Sequence, residues 1–238
     1  MFLSSTLKKV FLILVLLVEL FLYTLFLYFD FNDINIEISN WLKYVGIIIC
    51  FLASLIPIFS PNSARPHYFI PFSLFFTLVS DYFLLINTDK NLYIFGVVIF
   101  IIVQLSYFIY IETLKKNKTS FLISLIFRIV LSSMLIIILS ILQFDLLSIV
   151  SACYFVELLM NFITSLSLIK INKFFLIFSI GLLLFIGCDI SVGLTNLDLF
   201  EGHIKNLASN LMWIFYLPSQ VLISFSNYIN FKNIVYRV

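Results

Sequence analysis

The chain has 238 residues, of which 63% are hydrophobic and 11% charged, with a mean hydropathy of +1.16. A water-soluble domain of this size has no use for so much apolar surface, so the composition places the chain among integral membrane proteins. A net charge of +2 says little about nucleic acid, but no basic run interleaved with aromatics lies outside the apolar segments, so no nucleic-acid partner is expected.

A membrane span takes about 20 predominantly apolar residues. Eight segments qualify in chain order, at roughly 10–29, 41–59, 68–86, 93–113, 121–142, 145–169, 174–194 and 207–229. The first follows Lys8 and Lys9 as a signal peptide would. It is too long for such a peptide's apolar region and lacks a small-x-small cleavage site, so it is expected to be an uncleaved span. The longest connections run to about a dozen residues, too few for a soluble domain. The expected fold is all-α: a polytopic bundle of eight transmembrane helices forming one domain over residues 1–238.

Basic residues set the orientation. Lys8, Lys9, Arg65, Lys115, Lys116, Lys118, Lys170, Lys173, Lys232 and Arg237 fall on one set of alternate span ends. Lys43, Lys90 and Lys205 fall on the other, with Asp30, Asp33, Glu37, Asp89, Asp198 and Glu201. The positive-inside rule then puts both termini in the cytoplasm of a multi-pass protein, with the plasma membrane as its expected location. Cys50, Cys153 and Cys188 all lie in apolar runs and read as small core residues rather than a disulfide framework.

Two spans carry an aspartate at depth. "FTLVSDYFLLI" (76–86) holds Asp81 and "LLLFIGCDISVGL" (182–194) holds Asp189, each five residues before the expected outer end of its span. That places both about 7–8 Å below the outer interface. Hydrocarbon does not solvate charge, so polar residues at depth face the bundle interior and find partners there. Span eight presents Trp213, Tyr216, Gln220, Ser224 and Asn227 at helical spacing, and span six presents Tyr154, Glu157, Asn161 and Thr164. Span four adds Gln104, Tyr107 and Tyr110. Such residues serve as interhelical hydrogen-bonding glue or line a binding site with Asp81 and Asp189. Arg128 in span five has Glu157 as its expected counter-ion, while Glu19 stands alone in span one. An Asp followed by a Gln recurs in spans three–four and seven–eight, a faint four-plus-four echo.

Several chemistries find no residues. Zinc catalysis needs three or four converging ligands, yet the two histidines, His67 and His203, fall at opposite ends of the bundle. There is no G-x-S-x-G elbow, P-loop, Rossmann fingerprint or haem motif, so neither metal nor cofactor is expected. Carboxylate acid–base chemistry and transport remain.

The segments "LVSDYFLLI", "FGVVIFIIVQLSYFIYI", "GLLLFIGCDISVGL" and "WIFYLPSQVLISFS" resemble, in order and spacing, motifs of the YhhN-like family of eight-span membrane proteins, which includes the animal lysoplasmalogenases. The resemblance implies metal-free hydrolysis of the vinyl ether bond of lysoplasmalogens, giving a fatty aldehyde and a glycerophospho-base. It places Asp81 and Asp189 at the family's two acidic positions as catalytic residues. Lys43 stands near the family's Lys-Pro start of span two, without the proline. Gln104 stands where many members have histidine, and Cys188 where serine usually precedes the second aspartate.

The chemistry fits a carboxyl pair. A vinyl ether is cleaved by protonating its β-carbon to an oxocarbenium ion that water captures, and two carboxyls in a dry pocket supply the acid and the base. Asp81 and Asp189 are therefore the expected catalytic residues, with roles unassigned. Lys43, Gln104, Tyr107, Tyr154, Asn161, Tyr216 and Gln220 are the expected contacts for a lysophospholipid-type substrate drawn from membrane lipid. Lys43, near the rim, would hold the phosphate or tune a carboxylate. Two alternatives stand beside the hydrolase. One is a proton-coupled carrier of a small amphiphile or cation. The other is a catalytically silent family member, which Gln104 keeps open.

Overall fold

A computed structural model describes residues 5–59, 68–87, 89–115, 117–170, 173–196 and 202–228. Arg65, His67, Lys116, Asp198, Glu201, Lys232 and Arg237, used above for orientation and ligand counting, lie outside them. The described residues form α1 (Ser5–Phe31), α2 (Ile36–Leu55), α3 (Phe69–Asp81), α4 (Tyr93–Lys115), α5 (Lys118–Ile141), α6 (Leu146–Ser167), α7 (Lys173–Asn196) and α8 (Gly202–Ser226). All eight are long and apolar enough to cross a membrane, counting the short 3-10 turn after α2 and the π turn after α3 as part of their spans.

Local chemistry sets the helix ends. α2 begins five residues before its expected span, because Asn35 caps it by accepting from the Ile38 N–H at 3.2 Å. The tight α1–α2 turn needs left-handed backbone at Asp33 (φ 51°) and Asn35 (φ 40°), and Asn and Asp tolerate that region better than other side chains. Asn117 caps α5 in the same way, accepting from Thr119 and Ser120 at 3.0 and 3.1 Å. α3 widens directly after Asp81 into a π-helical turn, Tyr82–Ile86, closed by Asn87 N–H bonding the Tyr82 carbonyl at 2.9 Å. Such turns are rare and cluster at functional sites.

Lipid competes on equal terms for apolar surface, so helices in a membrane associate through close packing and polar contacts. Gly96 on α4 lets α3 approach until Ser80 Oγ donates to the Gly96 carbonyl at 2.6 Å. A Cβ on Gly96 would sit 2.6 Å from Leu84 Cγ and 3.2 Å from the Ser80 carbonyl. α2 is stitched to α8 by Ser224 donating to the Cys50 carbonyl at 2.7 Å and Asn227 to the Ser54 carbonyl at 3.1 Å. The core is largely aromatic, with Tyr107, Tyr110, Phe174, Phe178 and Phe185 all buried between α4 and α7.

Pro218 lies inside α8 and supplies no N–H to the Ile214 carbonyl one turn earlier. The hydroxyl of Tyr23 on α1 donates to that carbonyl at 3.2 Å. α1 meets the bundle along one face, where Val15, Glu19, Leu22 and Phe26 are buried. α5 is the outlier: among its residues only Arg128 is buried.

Candidate functional site

Asp81 is the last residue of α3 and is 4% exposed. The Tyr216 hydroxyl, from α8, reaches both its carboxyl oxygens, at 2.8 and 2.6 Å. The π turn that follows and the Ser80–Gly96 bond before it fix the backbone at this point. Tyr44 of α2 faces the same carboxyl.

Asp189 projects from α7 into the same interior. Its Oδ2 is enclosed, and the Tyr154 hydroxyl on α6 faces the carboxyl. The buried Cys188 thiol lies within electrostatic reach of both aspartates, and Tyr216 within reach of Cys188 and Tyr154. Asp81 and Asp189 thus border one nest of Cys188, Tyr154 and Tyr216. Phe100 and Phe185 wall it: Phe185 packs at 5.5 Å from Tyr216 and Phe100 at 5.5 Å from Tyr154.

The other expected site residues divide into three places. Tyr107 is fully buried on α4, facing Tyr154 and Thr77 and packed on Phe178 at 5.3 Å. It belongs to the nest. Gln104 and Asn161 belong to a second polar knot. Asn161 Nδ2 donates to the Gln104 carbonyl at 2.8 Å and to Gln104 Oε1 at 3.0 Å, and Arg128 donates to Asn161 Oδ1 at 2.9 Å. Arg128 also pairs with Glu157, as expected, and its guanidinium lies 4.4 Å from the Phe108 ring. Gln220 is fully buried one turn beyond Tyr216, with Nε2 3.3 Å from Ser219 Oγ and Oε1 without a partner among the described residues.

Lys43 is the third place. It is 4% exposed and bonded to Asp30 at 3.0 and 2.8 Å, with Ser39 donating to the same carboxylate at 2.5 Å. Its ammonium lies 4.5 Å from the Trp213 ring and 5.8 Å from Phe26, and Trp213 packs at 5.4 Å on Tyr216. A continuous contact chain therefore runs from Asp30 through Lys43, Trp213 and Tyr216 to Asp81.

Sequence reasoning missed Asp30 and Tyr44. The signal for Asp30 was present, because the four-residue α1–α2 turn (residues 32–35) folds α2 back along α1 and brings residue 30 level with 39 and 43. Glu19 does not stand alone as expected: the Cys50 thiol donates to its Oε1 at 3.4 Å, because α2 packs directly against that face of α1. No three His, Cys, Asp or Glu side chains converge as a metal site among the described residues.

The YhhN family model matches residues 39–227, a stretch that takes in both aspartates and every expected substrate contact. No curated protein and no solved structure matches the chain.

Proposed function

We propose that this chain, which belongs to the YhhN family, is a membrane-embedded hydrolase that cleaves the vinyl ether bond of lysoplasmalogens to a fatty aldehyde and a glycerophospho-base. The observation that carries the reading is the shared nest. Two carboxyls from α3 and α7 border the same thiol and tyrosine pair inside an eight-helix membrane bundle.

A vinyl ether is inert to base and labile to acid at its β-carbon. Two carboxyls bordering one site, one protonated and one ionised, have the required parts, an acid to protonate carbon and an anion to face the resulting cation. The aromatic walls at Phe100 and Phe185 suit the alkenyl chain, and the dry surroundings strengthen the attraction between anion and cation. Both aspartates lie toward the α1–α2 end of the bundle. With both termini in the cytoplasm of a plasma-membrane protein, that end opens to the outer leaflet, where the ether of a lysolipid lies just under its headgroup. Lys43 supports the nest through Trp213 in this reading, since its charge is already matched by Asp30.

The test uses the full chain purified into lipid nanodiscs. It is offered a lysoplasmalogen, the saturated alkyl-ether analogue and an acyl lysophospholipid, with aldehyde trapped as a hydrazone. Aldehyde from the vinyl ether alone, and its loss in Asp81→Asn and Asp189→Asn, is the expected result. No aldehyde from the wild-type chain in any arm removes the hydrolase reading. Full activity in either Asn variant removes that residue from the mechanism. The carrier reading instead expects uptake of an amphiphile driven by a pH gradient into proteoliposomes, without any bond cleaved.

A further inference from the structure

A cation at the end of a span that faces lysolipid headgroups invites a phosphate, yet the Lys43 side chain is only 5% exposed and already paired with Asp30. Resting on the hydrolase reading, we infer that Lys43 and Asp30 are a positioning pair for the reaction and not a headgroup site: they fix Trp213, and Trp213 fixes the phenol that holds Asp81.

Each link in that series is short and has a local cause. Asp30 is the next-to-last residue of α1, and the tight turn that follows sets α2 beside it. Ser39 and Lys43 stand one turn apart on α2, so both reach the Asp30 carboxylate. Ser39 Oγ and Lys43 Nζ bond one oxygen at 2.5 and 3.0 Å, and Nζ lies 2.8 Å from the other. A lysine stem is flexible, and this double contact holds its ammonium 4.5 Å from the Trp213 ring and 5.8 Å from Phe26. Trp213 meets Phe26 edge to face at 6.1 Å and Tyr216 at 5.4 Å. Trp213 and Tyr216 are three residues apart, on one face of α8. Tyr216 is thus held between Trp213 and Phe185, the latter at 5.5 Å, and its hydroxyl reaches both oxygens of Asp81 at 2.8 and 2.6 Å.

What the carboxyl needs from this series is orientation. Whether Asp81 delivers the proton or faces the cation, its oxygens must sit at a fixed place beside the alkene. A displacement of about 1 Å costs up to about a hundredfold in rate. The Tyr216 hydroxyl, in contact with both oxygens, sets the plane of the carboxyl. A half-buried indole that has lost its cation has other rotamers open to it, and the phenol packed on it follows. The same pairing answers the phosphate question. An ammonium neutralised by a carboxylate and faced by two rings has little charge left to attract an anion.

The experiment removes both charges together. Lys43→Met alone leaves Asp30 without its cation, which destabilises the fold for reasons unrelated to the reaction. The Lys43→Met/Asp30→Asn double variant has no orphan charge. For the full chain in nanodiscs, with lysoplasmalogen as substrate, its melting temperature is expected to return close to the wild-type value. Its kcat should stay about ten- to a hundredfold down, with KM little changed. Trp213→Leu should lower kcat to a similar degree, and adding the double substitution to it should lower kcat no further. A Trp41→Phe background, in which Trp213 is the one tryptophan left, gives a readout that needs no substrate. There the double variant should shift the Trp213 emission, because the cation beside its ring is gone. A kcat that recovers with stability overturns the positioning role while the hydrolase reading stands. So does a raised KM in place of a lowered kcat, a loss that multiplies with Trp213→Leu, or an unmoved emission. A wild-type chain that releases no aldehyde overturns both.

Discussion

Tyr23 of α1 donates its hydroxyl to the main-chain carbonyl of Ile214 on α8, 191 residues away, at 3.2 Å. That carbonyl wants a donor because Pro218, four residues on, has no N–H to offer. The break lies beside Tyr216, so α1 supports the part of α8 that grips Asp81.

Tyr23→Phe should therefore cost about 1 kcal/mol, the ordinary price of leaving such a carbonyl unmet. In a Pro218→Ala background the helix supplies its own donor, and the same substitution should cost almost nothing. Thermal unfolding of the four proteins in one detergent measures the coupling. A Tyr23→Phe effect of equal size in both backgrounds rejects the pairing.

Arg128 and Glu157 form a charge pair within the spans, 2% and 7% exposed. Removing one member leaves a buried charge alone, which costs about 3–5 kcal/mol. Arg128→Met and Glu157→Met should each destabilise by that order, and the double variant by much less than their sum. Chemical denaturation in mixed micelles gives the cycle, and additive losses would mean that the contact carries no energy.

Gln104 and Asn161 should respond unequally. Gln104→Leu leaves Asn161 bonded to the position 104 carbonyl, so the loss should be about 0.5–1.5 kcal/mol. Asn161→Leu also strips Arg128 of an acceptor and should cost about 2–4 kcal/mol. Equal melting shifts for the two variants would contradict the hydrogen-bond order described here.

Gly96→Ala places a methyl 2.6 Å from Leu84 Cγ and 3.2 Å from the Ser80 carbonyl, so α3 and α4 must separate. Overpacking of this kind costs about 1–3 kcal/mol. On the hydrolase reading, and because Ser80 adjoins Asp81, aldehyde release should fall further than stability alone explains. A variant with lowered melting temperature but unchanged kcat would show that the seam does not position the carboxyl.

Hydropathy alone located all eight helices, since 18 or more apolar residues have few other uses. The starts of α1, α2 and α8 each lie five residues before the expected span; at α2 this came from its amphipathic first turns and the Asn35 cap, which a hydropathy window averages away. Asp81 and Asp189 stood out in sequence because a carboxyl in a span is costly to keep. Their tyrosine partners did not: Tyr216 reaches Asp81 from 135 residues away, and Tyr154 faces Asp189 from α6. The Arg128–Glu157 pair was legible because each charge within a span has few available partners. Asp30 was not, because a charge near a helix end looks solvated until the turn beside it is known to be tight.

α5 carries one buried residue, and that residue is a cation. Its apolar surface gives it little reason to prefer the bundle over acyl chains, so Arg128, with a ring stack of Phe108 on Phe121, supplies what holds it to the bundle besides side-by-side packing on α6. An arginine at mid-span is among the least favoured residues for a helix leaving the translocon by itself. During biogenesis, α5 should wait at the insertion channel until α6 delivers the neutralising Glu157, and the two helices should partition into the bilayer as one unit.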